Sequence, residues 1–416
     1  MTAPLLLGYI CSALLVQFFA FTAIVVWSSR RAGARQHASV RATPYSAPEP
    51  AWSGWRAFRV TRRDYEDAAR TQCSFYLEPV DGFALPPFKP GQFLTISMKP
   101  SKVTGGEARE PRNIVRCYSL SDRPNSTQYR ITIKRALGPV ARPDLPPGVA
   151  STTFHDTVQV GEVLQVKAPA GQFSIDPDPH VPVVLIAGGI GITPMMSMIL
   201  WSLVACPGRA IHLYYGVRDG AEQAFKAVLE SLARSNPNFH LTVVYAKPAS
   251  DDALGRDFHH AGYVSVDLVR RTLPHGRYRF YVCGPPAMMK SVIFGLREWG
   301  IPSPDIRQEA FGPSSVGTQP GQSAEQATSR ANIFEITFVR SRRTIAWDGK
   351  DLNLLDFAER HGVAVDSGCR SGNCGTCETR LISGTVRYAQ RPDYDLSSGS
   401  CLLCVGTPDS ALALEA

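Results

Sequence analysis

No run of this chain interleaves basic with aromatic side chains, so nothing in it marks a nucleic-acid surface. Its 34 glycines and 32 prolines follow no fixed period, which excludes a fibrous chain. Charged residues are few, 19% against 44% hydrophobic, and that balance excludes disorder for most of the length. The ten cysteines form no evenly spread framework. Five stand singly at Cys11, Cys73, Cys117, Cys206 and Cys283, while Cys369, Cys374, Cys377, Cys401 and Cys404 crowd into 36 residues. A secreted disulfide scaffold is thereby excluded, and a local metal site in a reducing compartment is expected. No Lys or Arg precedes the apolar segment Leu5–Trp27, so the basic leader of a cleaved signal peptide is missing.

What is present suggests two to four domains in 416 residues. The net charge of +8 is uneven: residues 1–62 hold seven Arg and one Glu, whereas residues 332–416 hold nine basic and eleven acidic residues. The 23 uncharged residues Leu5–Trp27 reach about 34 Å as a helix, enough for a hydrocarbon core of about 30 Å. Arg30, Arg31 and Arg35 follow it at once. The pattern predicts a single-pass membrane anchor over 1–30, its N-terminus outside and the remaining chain cytoplasmic. Residues 31–51, rich in Ala, Pro and Ser, read as a linker.

Cys369, Cys374 and Cys377 have the spacing Cys-x4-Cys-x2-Cys, and Cys404 follows 27 positions later. This is the plant-type [2Fe–2S] spacing. Four thiolates converging on a small cluster require a tightly curled backbone, which Gly368, Gly372 and Gly375 permit. A zinc site would normally show two Cys-x2-4-Cys knuckles instead. Leu402-Leu403-Cys404-Val405-Gly406-Thr407-Pro408 resembles the Leu-x-Cys-x-x-x-Pro of plant-type ferredoxins, which implies Cys404 rather than Cys401 as fourth ligand. Ile333–Val339 alternates and pairs with Thr344–Trp347 as a hairpin, and Leu354–Ala358 reads as a short helix ended by Gly362.

Val181–Ala187 is a short apolar run suited to a buried parallel strand. It enters Gly188-Gly189-Ile-Gly191-Ile-Thr193-Pro194, where glycines let a diphosphate approach the backbone. Thr193 is placed to cap the following helix and Pro194 to open it, and that helix N-terminus favours phosphate. A second strand, Tyr278–Cys283, leads into Gly284 and Pro285 and then a helix over Ala287–Trp299. Strand Ile211–Val217, helix Ala221–Arg234 and strand Phe239–Tyr245 lie between them, so a parallel sheet is expected. Gly-Gly-x-Gly-x-Thr-Pro together with Cys-Gly-Pro resembles the nicotinamide domain of the ferredoxin–NADP reductase superfamily. That resemblance implies that Cys283 lies by the reacting nicotinamide carbon.

Residues 55–176 read as short strands separated by turns, including Phe58–Thr61, Cys73–Leu77, Gln92–Met98, Tyr129–Lys134 and Val163–Ala168. Arg116-Cys117-Tyr118-Ser119 resembles the Arg-x-Tyr-Ser flavin motif of the same superfamily. It implies Arg116 on a flavin phosphate, the Tyr118 ring against the flavin, and Ser119 bonded to the ring nitrogen that accepts hydride. Gly148-Val149-Ala150-Ser151 matches the family's Gly-x-x-Ser for pyrophosphate, which favours FAD and leaves FMN open. His155 and Asp156 read as a turn with a solvated acid. Glu309-Ala310-Phe311-Gly312-Pro313 resembles the end of the flavohaemoglobin reductase module, which implies Glu309 at the flavin and Phe311 as an aromatic cover displaced by nicotinamide.

The expected fold is therefore multidomain. After the transmembrane helix come an antiparallel β-barrel for flavin (52–176), an α/β parallel-sheet domain for NAD(P) (177–312), a linker (313–331) and an α+β, β-grasp ferredoxin domain (332–416). The whole resembles phthalate dioxygenase reductase-like enzymes. It implies electron flow from NADH or NADPH through flavin to a [2Fe–2S] cluster, and on to an oxygenase, desaturase or cytochrome at a membrane. A self-contained NADH oxidase or quinone reductase and a redox sensor are the rival readings. Arg218 could meet a 2′-phosphate, yet Tyr-Gly-Val-Arg-Asp resembles NADH users as well.

Overall fold

The computed structural model describes residues 51–99, 113–138, 147–311 and 334–416, apart from 369, 371, 373, 389–391, 393 and 395. All of them fall in one unit, Pro50–Ala416. The first sheet is antiparallel. Its strands are β1 (Arg56–Tyr65), β2 (Gln72–Pro79), β3 (Phe93–Met98), β4 (Ile114–Ser119), β5 (Tyr129–Lys134) and β6 (Val163–Val166), in the order β4-β3-β6-β1-β2-β5. A bridge between Leu120 and Ile131 joins the two edge strands, so the sheet closes on itself. Phe58, Leu77, Ile96 and Leu164 fill its interior. Between β5 and β6 runs α1 (Val149–Asp156). Its Phe154 is fully buried and meets the rings of Phe75 and Tyr118 edge-on at 5.0 and 5.1 Å. Helix α1 thereby braces the strand that carries Arg116-x-Tyr118-Ser119.

The expected turn at His155 and Asp156 is instead the last turn of α1. His155 is buried with its Nε2–H on the Ile133 carbonyl at 3.0 Å, and Asp156 pairs with Arg135. The buried Phe154 holds this segment helical through Asp156, where local signals suggested a turn.

The second sheet contains β7 (Val183–Gly188), β8 (Ile211–Val217), β9 (Phe239–Tyr245), β10 (His260–Ala261), β11 (Arg279–Cys283) and β12 (Ile306–Glu309). All its neighbours run parallel, in the order β10-β9-β8-β7-β11-β12. Helices α2 (Ile192–Ala205), α3 (Lys226–Ser235), α4 (Val266–Thr272) and α5 (Pro286–Glu298) connect and cover it. Val183, Leu185 and Ala187 face the α2 side, while Val184 and Ile186 face the α4–α5 side. Burial of both faces explains the unbroken apolar run of β7. Helix α3 starts five residues after the expected Ala221, because Phe225 takes a left-handed turn at φ 59° and its N–H bonds to Glu66 of the barrel.

On β8, His212 is buried and stacks on His240 with ring centroids 4.5 Å apart. Burial, and then the neighbouring imidazole, lower His212 from 6.5 to about 4. The unfolded chain therefore binds this proton first. The stability that neutral His212 provides is complete above about pH 6.5 and is lost as pH falls toward about 4. Melting temperatures measured across that window should fall for the native chain, and His212→Phe should flatten the slope.

The third sheet is mixed, with β13 (Phe334–Phe338), β14 (Arg343–Trp347), β15 (Glu378–Ser383), β17 (Ser400–Leu402) and β19 (Leu412–Leu414) in the order β14-β13-β19-β15-β17. A small pair, β16 (Val386–Tyr388) and β18 (Gly406–Pro408), flanks it. Helix α6 (Leu354–Arg360) is capped by Asn353, whose Oδ1 accepts from Asp356 N at 2.9 Å, and it ends at Gly362 with φ 68°. Leu354, Leu355, Phe357 and Ala358 bury against Ile336, Phe338 and Leu412.

The expectation of a membrane-spanning, single-pass localisation is corrected. Among the described residues no helix is long and apolar enough to cross a membrane. The longest, α2, has 14 residues and reaches only about 21 Å. Leu5–Trp27 and residues 31–50 of the linker lie outside the described residues.

Candidate flavin, nicotinamide and iron–sulfur sites

Strands β7 and β11 are neighbours, with Ala187 opposite Cys283. The chain leaves β7 toward β8 on one side and returns to β11 on the other, so the sheet's switch point lies between them. Ligands bind at that crevice in open parallel sheets. Both glycine turns are there and they pack on each other. A Cβ on Gly188 would come within 2.7 Å of Pro285 Cδ and Met288 Sδ, and one on Gly284 within 2.9 Å of Gly188 N. A Cβ on Gly191 would overlap the Cys283 carbonyl oxygen. Gly189 differs, with φ 51° and open space around it. Three of these four glycines therefore permit close backbone approach between two turns. Gly191→Ala should lower the melting temperature markedly, by a destabilisation of about 1–3 kcal/mol or more, read by thermal denaturation.

Thr193 and Pro194 stand two residues deeper in the helix than expected. Helix α2 begins at Ile192 after a 3-10 turn over Gly189–Gly191, so Thr193 is its second residue and Pro194 its third. Thr193 is buried and its hydroxyl donates to the Ile190 carbonyl at 3.0 Å. That bond closes the turn from within, where the expected cap would have closed it from outside.

A cleft of about 500 Å³ lies where the barrel, the parallel sheet and the cysteine-rich loop meet. Arg116, Tyr118 and Ser119 line it from β4, Ser151 from α1, Thr193 from α2, and Glu309 and Phe311 from the end of β12. Ser119 and Glu309 are both buried, and the Ser119 hydroxyl donates to Glu309 Oε2 at 3.3 Å. Register sets Glu309 beside Cys283. Cys283 is fully buried; burial first, then the Glu309 charge, push its thiol well above the ordinary value of 9.0, so it stays protonated at neutral pH. Phe311 remains 40% exposed at the mouth. Arg116 is half-buried, with Nη1 donating to the Val115 carbonyl at 2.8 Å. Ser151 donates to the Gly148 carbonyl at 2.9 Å and accepts from Ala136 N at 3.0 Å, which fixes the turn before α1. Within that turn Val149 is exposed and Ala150 buried.

Cys374, Cys377 and Cys404 belong to the loops around β15 and β17, and the last two are buried. Cys369 lies outside the described residues. Gly372 and Gly375 have φ 79° and 68°, the left-handed curl a cluster loop needs. Cys404 stands in the turn after β17, whereas Cys401 is inside β17 opposite Thr379. Burial, Cys377 and Glu378 push the Cys401 thiol up to about 12. Arg370, at φ 55°, bonds Asp356 at 3.3 Å and also Glu359, tying the loop to α6.

Residues 185–293 match the oxidoreductase NAD-binding domain, and residues 337–409 match the 2Fe-2S iron-sulfur cluster binding domain. A solved structure of the flavohem-like FAD/NAD-binding domain of nitric oxide dioxygenase from Vibrio cholerae is 31% identical, with TM-score 0.52. The match covers 62% of this chain and 99% of that one. The chain belongs to the ferredoxin reductase-like flavin oxidoreductases. Phthalate dioxygenase reductase, solved as a modular structure for electron transfer from pyridine nucleotides to [2Fe–2S], is 27% identical with TM-score 0.52. That likeness covers 87% of this chain and 98% of the other. A flavohemoprotein of Rhodopirellula baltica is 39% identical over 264 residues, 63% of this chain and 62% of the relative. The chain thus spans less than two thirds of that relative's length. It is an oxidoreductase with NAD-binding and flavin reductase modules and a 2Fe-2S domain, and its cofactors are FAD, NAD(P)H and the cluster. The residues present fit them. The cleft has the volume of a small-molecule site, and the curled loop offers the thiol donors an iron–sulfur centre takes.

Among the cleft residues that sequence reasoning did not assign to this site are Cys117, Lys134, Gly368 and Arg370. Cys117 occupies the unspecified position of Arg-x-Tyr-Ser, and Gly368 directly precedes Cys369. Their meeting joins residues 251 positions apart, and no local pattern signals it.

Proposed function

We propose that this reductase draws electrons from NAD(P)H at the β7–β11 crevice, holds flavin in the adjoining cleft, and delivers single electrons through the cluster to an external acceptor. The acceptor class proposed is an oxygenase, a desaturase or a cytochrome. The proposed divisions are 52–176 for flavin, 177–312 for nicotinamide and 332–416 for the cluster, with 313–331 as linker. One observation carries the reading. A single point, where a Cβ on Gly368 would stand, lies 3.4 Å from Cys117 Sγ and 2.8 Å from Cys374 Sγ. The flavin-motif strand and the cluster loop are therefore in contact.

A flavin held in the cleft would supply the exchange between electron pairs from nicotinamide and the single electrons an iron pair takes. Arg116 supplies a fixed cation for a flavin phosphate, and Gly148–Ser151 supplies backbone and hydroxyl groups beside it. Tyr118, braced by Phe154, gives a flat wall. The Ser119 hydroxyl, held by Glu309, would bond the flavin ring nitrogen that accepts hydride. Cys283 packs as a neutral thiol where nicotinamide arrives, and Phe311 must swing aside to admit it. Gly188, Gly189, Gly191, Thr193, Pro194, Gly284 and Pro285 shape the nucleotide turns. Cys369, Cys374, Cys377 and Cys404 ligate the irons.

The test is anaerobic reduction of the purified holoprotein by NADH, followed by cytochrome c as a one-electron acceptor. Flavin and cluster absorbance should both bleach, and cytochrome c should then be reduced. Bleached flavin beside a persistently oxidised cluster would overturn the proposal.

A further inference from the structure

The charges at the carboxyl end of β8 point to a preference between the two nicotinamide cofactors. Resting on the reading of the β7–β11 crevice as the nucleotide site, we propose that fixed carboxylates of Asp219 and Glu222 neutralise Arg218 and make the chain select NADH over NADPH. In an open parallel sheet, the segment after the second strand faces the adenosine ribose, the part in which the two cofactors differ. Here the second strand is β8, and Arg218 follows it directly.

A 2′-phosphate needs cationic groups whose charge is not already spent. Arg218 is 63% exposed, but its Nε lies 3.9 Å from Asp219 and its Nη1 lies 3.7 Å from Glu222. Neither carboxylate is a loose surface group. Asp219 Oδ1 accepts from Glu222 N at 3.1 Å, and Glu222 Oε2 is gripped by Lys134 of the barrel at 2.7 Å. A third carboxylate, Asp252, accepts from Gly220 N at 3.2 Å and from Ala249 N at 2.7 Å. Lys247, exposed after β9, donates its backbone N–H to the Arg218 carbonyl at 2.7 Å, which fixes the turn that carries Arg218. A phosphate dianion arriving here meets three carboxylates held in place. A ribose hydroxyl meets acceptors instead, which suits NADH. The Lys134–Glu222 pair also means that the barrel, not the nucleotide domain alone, sets this selectivity.

Calorimetric binding of 5′-ADP and 2′,5′-ADP to the flavin-loaded holoprotein tests this without turnover. The native chain should bind 5′-ADP roughly tenfold tighter or more. Asp219→Asn with Glu222→Gln should narrow that gap about tenfold by strengthening 2′,5′-ADP, and adding Arg218→Ala should reopen it. The ratio of NADH to NADPH efficiency should move in parallel. Equal or tighter 2′,5′-ADP binding by the native chain would overturn the proposal, as would an unchanged gap in a double variant that retains flavin. If the double variant fails to retain flavin, Asp219→Asn alone must narrow the gap. Failure of both probes to bind a flavin-loaded chain would overturn the nucleotide-site reading itself and this proposal with it.

Discussion

Cys404→Ser should abolish the visible absorbance of the [2Fe–2S] centre, while Cys401→Ser should leave it in place. The two cysteines are three positions apart and both buried, so proximity alone does not separate them. The backbone does. Cys401 is a strand residue whose partner across the ladder is Thr379, and Thr379 itself follows Cys377 by two residues. Cys404 stands in the turn that leaves β17, where Leu403 N donates to the Cys377 carbonyl at 3.3 Å. That bond draws the turn onto the loop carrying the other thiols. A serine at a ligand position replaces a soft thiolate with a hard, weakly acidic oxygen. Iron and sulfide content, with the visible spectrum of each purified variant, checks the outcome. Loss of the centre in Cys401→Ser and its survival in Cys404→Ser would reverse the ligand choice.

Ser119→Ala should slow reduction of the bound flavin by NADH about tenfold to a thousandfold, with flavin content unchanged. The hydroxyl is buried and oriented by Glu309, which comes from another sheet 190 residues away. Removing it takes away a hydrogen-bonding group at the cleft and leaves the buried Glu309 carboxylate without that donor. A preorganised group of this kind contributes more in a closed site than in water, because no solvent must reorganise around it. Anaerobic stopped-flow measurement of flavin bleaching reads the rate, and saturation with NADH separates binding from the reductive step. An unchanged limiting rate would remove Ser119 from the reacting edge. Ser119→Thr, which keeps a hydroxyl, should recover part of the rate.

Much of this molecule was legible as sequence because its chemistry demands rare local patterns. A cluster loop needs cysteines at short fixed intervals and glycines that can curl, so Cys374, Cys377, Gly372 and Gly375 announced it. A buried parallel strand needs apolar residues on both faces, so β7 stood out as an unbroken run. The hairpin of β13 and β14, and the stop of α6 at Gly362, followed from alternation and a left-handed glycine. Other features were invisible to any local window. The glycine turns read as phosphate loops, but most of those glycines are required because β7 and β11 end side by side and their turns touch. His155 and Asp156 read as a turn, but Phe154 needed a helix to reach the barrel core. The contact of Cys117 with Gly368, the bond from Ser119 to Glu309 and the grip of Lys134 on Glu222 each join residues far apart along the chain. Sequence by itself therefore determined the classes of cofactor, a flavin, a nicotinamide and an iron–sulfur cluster, because each one calls for particular side chains at short spacing. Only the tertiary structure decided how close the cofactor sites lie and which charges guard them, because those depend on packing between residues far apart along the chain.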